Sequence, residues 1–147
     1  SNTDLKAVAT YLTHLPPQTK PRPLPATARL SPPQTKTALA GGTLYEKHCA
    51  QCHGAQGEGV PGAYPSLRGT VAINRERTTN LIQAVLHGGF SPATQGNPRP
   101  YGMPPYELFF NDQEVASVLT YVRQSWGNTG AAVSELEVYQ ARGRFTR

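Results

Sequence analysis

The sequence predicts an all-α fold with long connecting loops, and three observations carry that expectation. Apolar residues recur at spacings of three and four in several segments, most clearly in residues 111–126. No segment alternates apolar and polar side chains as a half-buried strand would. Between the helical segments lie two stretches rich in glycine and proline, residues 54–69 and 90–110. The 147 residues are a one-domain length. The 14 prolines are about twice the average share, and seven of them fall between Pro16 and Pro33.

Residues 4–15 place Leu5, Val8, Leu12 and Leu15 on one stripe, with Asp4 at the start and Pro16-Pro17 as the stop. This helix has a near-copy downstream. Val8, Thr10, Tyr11 and Leu12 match Val118, Thr120, Tyr121 and Val122 at an offset of 110, as Asp4 and Leu5 match Glu114 and Val115. An offset of that size approximates one small domain, which points to an internal repeat. The bland alternative is that amphipathic helices often look alike. Residues 16–36 contain Pro-Pro-Gln-Thr-Lys twice and read as an extended, basic linker that cannot build a core.

Thr37 to Cys52 reads as the first helix of the main domain, with Leu39, Gly42, Tyr45 and Cys49 on its stripe. Gly41 and Gly42 weaken it in isolation but permit another helix to come close. Thr78 to Leu86 is a second helix, capped by Thr78 or Thr79 and stopped at Gly88-Gly89. Asn111 to Trp126 is the clearest, with Asn111 or Asp112 as cap, Glu114 in its first turn, and Val115, Val118, Leu119, Val122 and Trp126 as its stripe. Ser134 with Glu137 makes a capping box for a short helix through Arg142. The organisation expected is a helix over 1–15, a linker over 16–36, a main domain over 37–130, and a helix with a basic tail over 131–147. The two intervening loops are long enough to be functional.

The net charge of +5 is unevenly placed. Residues 16–36 carry four basic side chains and no acid, and residues 138–147 carry Arg142, Arg144 and Arg147. Residues 37–137, with six basic and eight acidic side chains, are mildly acidic. Neither basic arm is interleaved with aromatics, so a nucleic-acid partner is not expected. An acidic partner surface or lipid headgroups fit the arms better. No apolar run exceeds three residues, so the sequence shows no membrane span and no secretory signal.

The chemistry is concentrated in Cys49-Ala50-Gln51-Cys52-His53, a C-x-x-C-H sequence of the kind that attaches a c-type haem. On a helical path Cys49 and Cys52 lie one turn apart, so both thiols can reach one porphyrin edge, and His53 can bind the iron. Zinc is the rival, but a structural site needs about four ligands. Cys49 and Cys52 are the only cysteines, and His14, His48 and His87 form no closely spaced pair. A thioredoxin-type motif lacks its strand, and a disulfide within C-x-x-C closes too small a ring to stabilise much. The expected sixth ligand is Met103, the single methionine, held between Gly102 and Pro104 in a loop. His87, at a helix end, is the alternative.

These pieces together resemble a class I c-type cytochrome over residues 37–127. The matching motifs are Leu44-Tyr45, the C-x-x-C-H, Gly54 and Gly57, Pro65-Ser66-Leu67, Met103-Pro104 and the helix ending in Tyr121-Val122. Residues 59–65, the helix from Asp112 with Gly127-Asn128, and the trailing helix look more narrowly like the last cytochrome domain of multihaem subunits of membrane-bound alcohol, aldehyde or sugar-acid dehydrogenases. The resemblance implies the cytochrome c fold, helices around one covalently bound haem with long loops. It further implies one-electron transfer by a His53- and Met103-ligated haem c, with the Pro65 carbonyl supporting His53. The implied partners are redox proteins, a dehydrogenase subunit and an upstream cytochrome domain that ends in residues 1–15. The implied setting is the bacterial periplasm, peripheral to the inner membrane and feeding a respiratory chain. The missing secretory signal then suggests a mature chain or an excised piece. Arg75, Arg77 and Arg99 are candidates to pair with haem propionates. The contrasting class is a haem enzyme or ligand sensor with an open or exchangeable sixth site.

Overall fold

A computed structural model describes residues 1–16, 36–95 and 98–143. The expected linker over 16–36 lies almost wholly outside these residues, as do Arg144 and Arg147. Seven helices and one small antiparallel ladder make up the described structure.

Helix α1 spans Asn2–His14. Its cap is Ser1 rather than Asp4: the Ser1 hydroxyl accepts from the Asp4 N–H, and the Asp4 carboxylate reaches back to the Ser1 amine and hydroxyl. Leu15 is extended, as a residue before proline prefers to be. No residue of α1 is buried, and the stripe Leu5, Val8, Leu12 and Leu15 is exposed.

Helix α2, Lys36–His48, opens the main body, and a break at Cys49 separates it from α3, Ala50–His53. The continuous helix expected through Cys52 is therefore two helices. The buried face of α2 also differs from expectation. It is Ala38, Gly41 and Tyr45, while Leu39 is 57% exposed. The reason lies in the facing helix, α6, Asp112–Gln124. A Cβ on Gly41 would stand 2.0 Å from the Ser117 carbonyl oxygen, and the Tyr121 ring lies over Gly42. Small residues thus set the seam, and the side chain of Leu39 turns outward.

Helix α6 is the structural axis. Asn111 accepts from the Glu114 N–H at 2.9 Å, and Glu114 returns the bond to the Asn111 N–H at 2.9 Å. Val115, Val118, Leu119 and Val122 are buried as the stripe predicts, together with Trp126. Trp126 sits just beyond the helix with φ +55°, a conformation unusual for a bulky residue. Its ring packs on Tyr45 and Tyr121, at centroid distances of 4.9 and 5.4 Å.

The remaining elements close around this pair. Helix α5, Thr79–His87, contributes Ile82 and Leu86 to the core and stops at Gly88. Thr78 is its cap by position, but its hydroxyl donates to Glu137 at 2.7 Å instead of capping. Helix α7, Glu135–Gly143, begins at the Ser134–Glu137 capping box. Val138 and Ala141 place α7 in the same core as α2, α5 and α6, so no structural boundary falls at residue 130. Arg142 ties its end to Asp112 and to the Glu107 and Phe110 carbonyls. Burial alone would raise the Glu137 carboxyl, yet hydrogen bonds from Ser134 and Thr78 hold it below its ordinary value. Two features had no sequence signal: helix α4, Val71–Asn74, and the ladder pairing β1, Gly89–Phe90, with β2, Gly102–Met103.

Gly41→Ala should destabilise the fold by about 2 kcal/mol or more, although alanine is the better helix former. Urea unfolding followed by far-UV dichroism measures it. A neutral or stabilising result would mean that α2 and α6 separate readily.

Candidate haem site

The C-x-x-C-H segment leaves α2 at a turn. Cys49 donates its N–H to Tyr45 at 2.8 Å, and His53 donates to the Cys49 carbonyl at 2.9 Å, so the motif keeps a helical path. Neither cysteine is in a disulfide, and both are half-buried. Burial, with the Cys52 thiol beside it, pushes the Cys49 thiol up to about 11. The Tyr45 hydroxyl donates to the Gly54 carbonyl at 2.6 Å and fixes the exit of the motif. Burial raises that phenol far above its usual range, so it stays a donor.

The loop of residues 54–69 folds back over the motif. Gly59 donates to the His53 carbonyl at 2.7 Å, and Leu67 donates to the Gly57 carbonyl at 2.8 Å. Gly57 lies under the Trp126 indole, where a Cβ would stand 2.5 Å from the ring. This fold brings the Pro65 carbonyl to 3.0 Å from His53 Nδ1. A carbonyl can only accept, so Nδ1 carries the proton and Nε2 presents its lone pair. Asn128 locks the far end of the loop. Its side-chain oxygen accepts from the Gly69 N–H and from Asn74, and its amide donates to the Leu67 and Val122 carbonyls. Arg123, 1% exposed, binds the Ala131, Ile73 and Arg75 carbonyls in the same region. Burial lowers the Arg123 guanidinium, and the Glu137 carboxylate opposes that shift.

The second wall comes from the residues after α5. Gly88, at φ +61°, passes so close to the Met103 carbonyl that a Cβ would stand 2.1 Å from it. The ladder then pairs Gly89 with Met103 and Phe90 with Gly102. Beyond Met103, the Tyr106 N–H reaches the Val85 and Leu86 carbonyls, and its hydroxyl donates to the His48 carbonyl at 2.8 Å. The Tyr106 and Phe110 rings stack at 4.9 Å, with the His48 ring edge-on to both.

Between these walls is an open-mouthed cleft of about 230 Å³. Cys49, Cys52, His53, Pro65 and Met103 all line it. The donor set suits haem c: two thiols for thioethers, an oriented imidazole and a thioether sulfur meet on one cavity. Among the described residues no cluster of three or more His, Cys, Asp or Glu exists to offer a closed zinc site. His87 is not part of the lining; its Nδ1 lies 3.5 Å from the Glu107 carboxylate. Arg75, Arg77 and Arg99 are exposed and do not line the cleft, and Arg77 borders a separate groove with Glu76 and Glu137. The cleft residues that sequence reasoning missed are His48, Tyr64, Tyr101 and Tyr106. Their adjacency to Cys49, Pro65 and Met103 in the chain was the available signal.

Comparison with known proteins agrees with the geometry. The family model for cytochrome c matches residues 38–126. The chain belongs to the cytochrome c family. A cytochrome c is an electron carrier with covalently bound haem c, and Cys49 and Cys52 stand where the family attaches it. Several of its relatives are cytochrome c subunits of dehydrogenases. The chain is 35% identical to the cytochrome c subunit of the quinone-dependent alcohol dehydrogenase of Gluconacetobacter polyoxogenes, over 85% of this chain and 28% of that protein. It is 32% identical to the corresponding subunit of Gluconobacter oxydans (strain 621H), over 97% of this chain and 30% of the relative. It is 36% identical to the gluconate 2-dehydrogenase cytochrome c subunit of Pantoea cypripedii, over 63% and 21%. This cytochrome thus spans less than a third of the length of these relatives.

Asn128→Ala removes the side-chain partner of the Leu67 and Val122 carbonyls and of the Gly69 N–H, so it should cost about 3 kcal/mol or more in stability. Denaturant midpoints of the haem-loaded variant and parent check this. An effect below about 1 kcal/mol would show that water replaces Asn128 at little cost.

Proposed function

We propose that this cytochrome carries one haem c, attached through Cys49 and Cys52 and ligated by His53 and Met103. Haem, when bound, supplies a one-electron Fe(III)/Fe(II) couple. The observation that carries the reading is the meeting of all four side chains in one cleft, with the proton of His53 held on Nδ1 by Pro65. The chain's residues orient the imidazole, offer a thioether sulfur and surround the site with Tyr106 and Pro104, which exclude water. No general acid or base is required for that task, so the domain carries electrons and does no bond chemistry. The placement of His87 against Glu107 favours Met103 as the sixth ligand.

The experiment joins mass spectrometry to spectroscopy. Denatured protein should weigh as the polypeptide plus one haem, since the sequence has one C-x-x-C-H. Met103→Ala should still weigh as its own polypeptide plus one haem, lose the weak far-red band of the ferric protein and lower the potential. A variant with unchanged spectrum and potential removes Met103 from the iron and brings His87 forward.

We further propose that it is the last cytochrome domain of a periplasmic, membrane-peripheral dehydrogenase subunit that feeds a respiratory chain; its likeness to cytochrome c subunits of dehydrogenases, less than a third of whose length it spans, supports a place in such a subunit. Its partners are then the dehydrogenase and a preceding cytochrome domain. No helix among the described residues is long and apolar enough to cross a membrane. Arg142 of the basic tail is engaged within the fold by Asp112; the basic residues of 16–36, with Arg144 and Arg147, suit an acidic partner surface or headgroups, through an attraction that salt weakens.

Helix α1 is proposed to close that preceding domain. Both α1 and α6 have 13 residues, displaced by 110, and both begin in a capping box, Ser1 with Asp4 and Asn111 with Glu114. Leu5, Val8 and Leu12 correspond to the buried Val115, Val118 and Val122, yet they face solvent. Amide hydrogen exchange should show α1 opening at almost no free-energy cost while α6 opens only with global unfolding. Equal protection of residues 2–14 and 112–124, independent of concentration, would make α1 an integral part of this domain.

A further inference from the structure

The cleft has a contact across its mouth that the ligand assignment does not use. On one side, Val60 and Tyr64 exchange both backbone hydrogen bonds at 2.9 Å, which fixes Tyr64 immediately before Pro65. On the other side, Tyr101 immediately precedes β2, two residues before Met103. The Tyr64 and Tyr101 rings meet at a centroid distance of 5.1 Å with planes tilted by 44°, the geometry of an attractive aromatic pair. Both rings line the cleft. One ring is therefore anchored beside the support of His53, and the other beside Met103.

The Met103 segment needs such an anchor. Its regular backbone pairing is a ladder of two residues per strand, and Phe90, Ser91 and Tyr101 around it are exposed. Segments with so few buried contacts open at low free-energy cost. When this segment opens, Met103 leaves and the sixth position is bare.

We infer that Tyr64 and Tyr101 form an aromatic clasp that holds the Met103 segment closed and so excludes foreign ligands from the iron. The pair acts through Met103 and does not touch the reacting centre, so these are positioning residues. The inference rests on the assignment of Met103 as sixth ligand. An aromatic pair of this geometry shifts an opening equilibrium by roughly three- to tenfold. Each ring should therefore tune how often the iron is exposed without altering haem attachment.

The test is imidazole binding to the ferric, haem-loaded protein, because imidazole enters only where Met103 has left. Tyr64→Ala and Tyr101→Ala should each raise imidazole affinity about three- to tenfold, with the far-red band retained in the absence of imidazole. The double variant should bind no more tightly than the single ones, since both remove the same contact. Tyr101→Phe should behave as the parent. Tyr101→Leu keeps bulk without the ring and serves if alanine unfolds the segment; it too should bind imidazole more tightly. Unchanged affinities, additive effects, or a Phe variant as loose as Ala overturn the clasp while leaving Met103 ligation in place. A parent protein without the far-red band overturns the ligation and the clasp with it.

Discussion

The approach of α2 to α6 at Gly41 is the constraint on which the rest depends. With no side chain between the Gly41 backbone and the Ser117 carbonyl, the two helices cross at backbone contact. That distance lets Tyr45, one turn further along α2, pack against Tyr121 and Trp126 at once. Tyr45 in turn accepts the Cys49 N–H at its carbonyl and donates its hydroxyl to Gly54. The haem-attachment segment is thus suspended from the helix seam at both its ends. A looser seam would displace the motif as a unit.

The two walls of the cleft are built without extended secondary structure, and they are held in different ways. The wall carrying Pro65 is pinned by polar contacts from side chains far away in sequence, Asn128 above all. The wall carrying Met103 depends on close backbone passage at Gly88, on the Tyr106 anchors and on aromatic contacts. The first arrangement gives a rigid imidazole. The second gives a segment that can be adjusted by single side chains. Under the proposed ligation by His53 and Met103, an electron carrier benefits from the asymmetry, because one ligand stays fixed while the other tunes the couple.

Much of this was legible in the sequence. The C-x-x-C-H, the lone methionine in a proline-bounded loop and the stripe of α6 each carry a local signal that tertiary context did not override. The face of α2 was misread because its interface is made of Ala38 and Gly41, and a search for large apolar residues favours Leu39. The break at Cys49, the four residues of α4 and the two-residue strands are too short to show any period. Arg75, Arg77 and Arg99 are not among the residues lining the cleft, and charge alone has no spacing that predicts a direction. Tyr64 and Tyr101 were passed over because an aromatic beside a ligand motif reads first as ordinary packing.

The crossing at Gly41 has a topological consequence. Helix α2 begins the compact body, and α6, followed only by α7, crosses it at Gly41, so early and late segments of the body are in contact. A unit whose ends are neighbours can be duplicated, joined to copies of itself or excised with little disturbance inside. The same architecture makes each copy self-sealing: its own last long helix covers its own first. Modularity in this fold therefore follows from one pair of glycines, which allow beginning and end to be in contact.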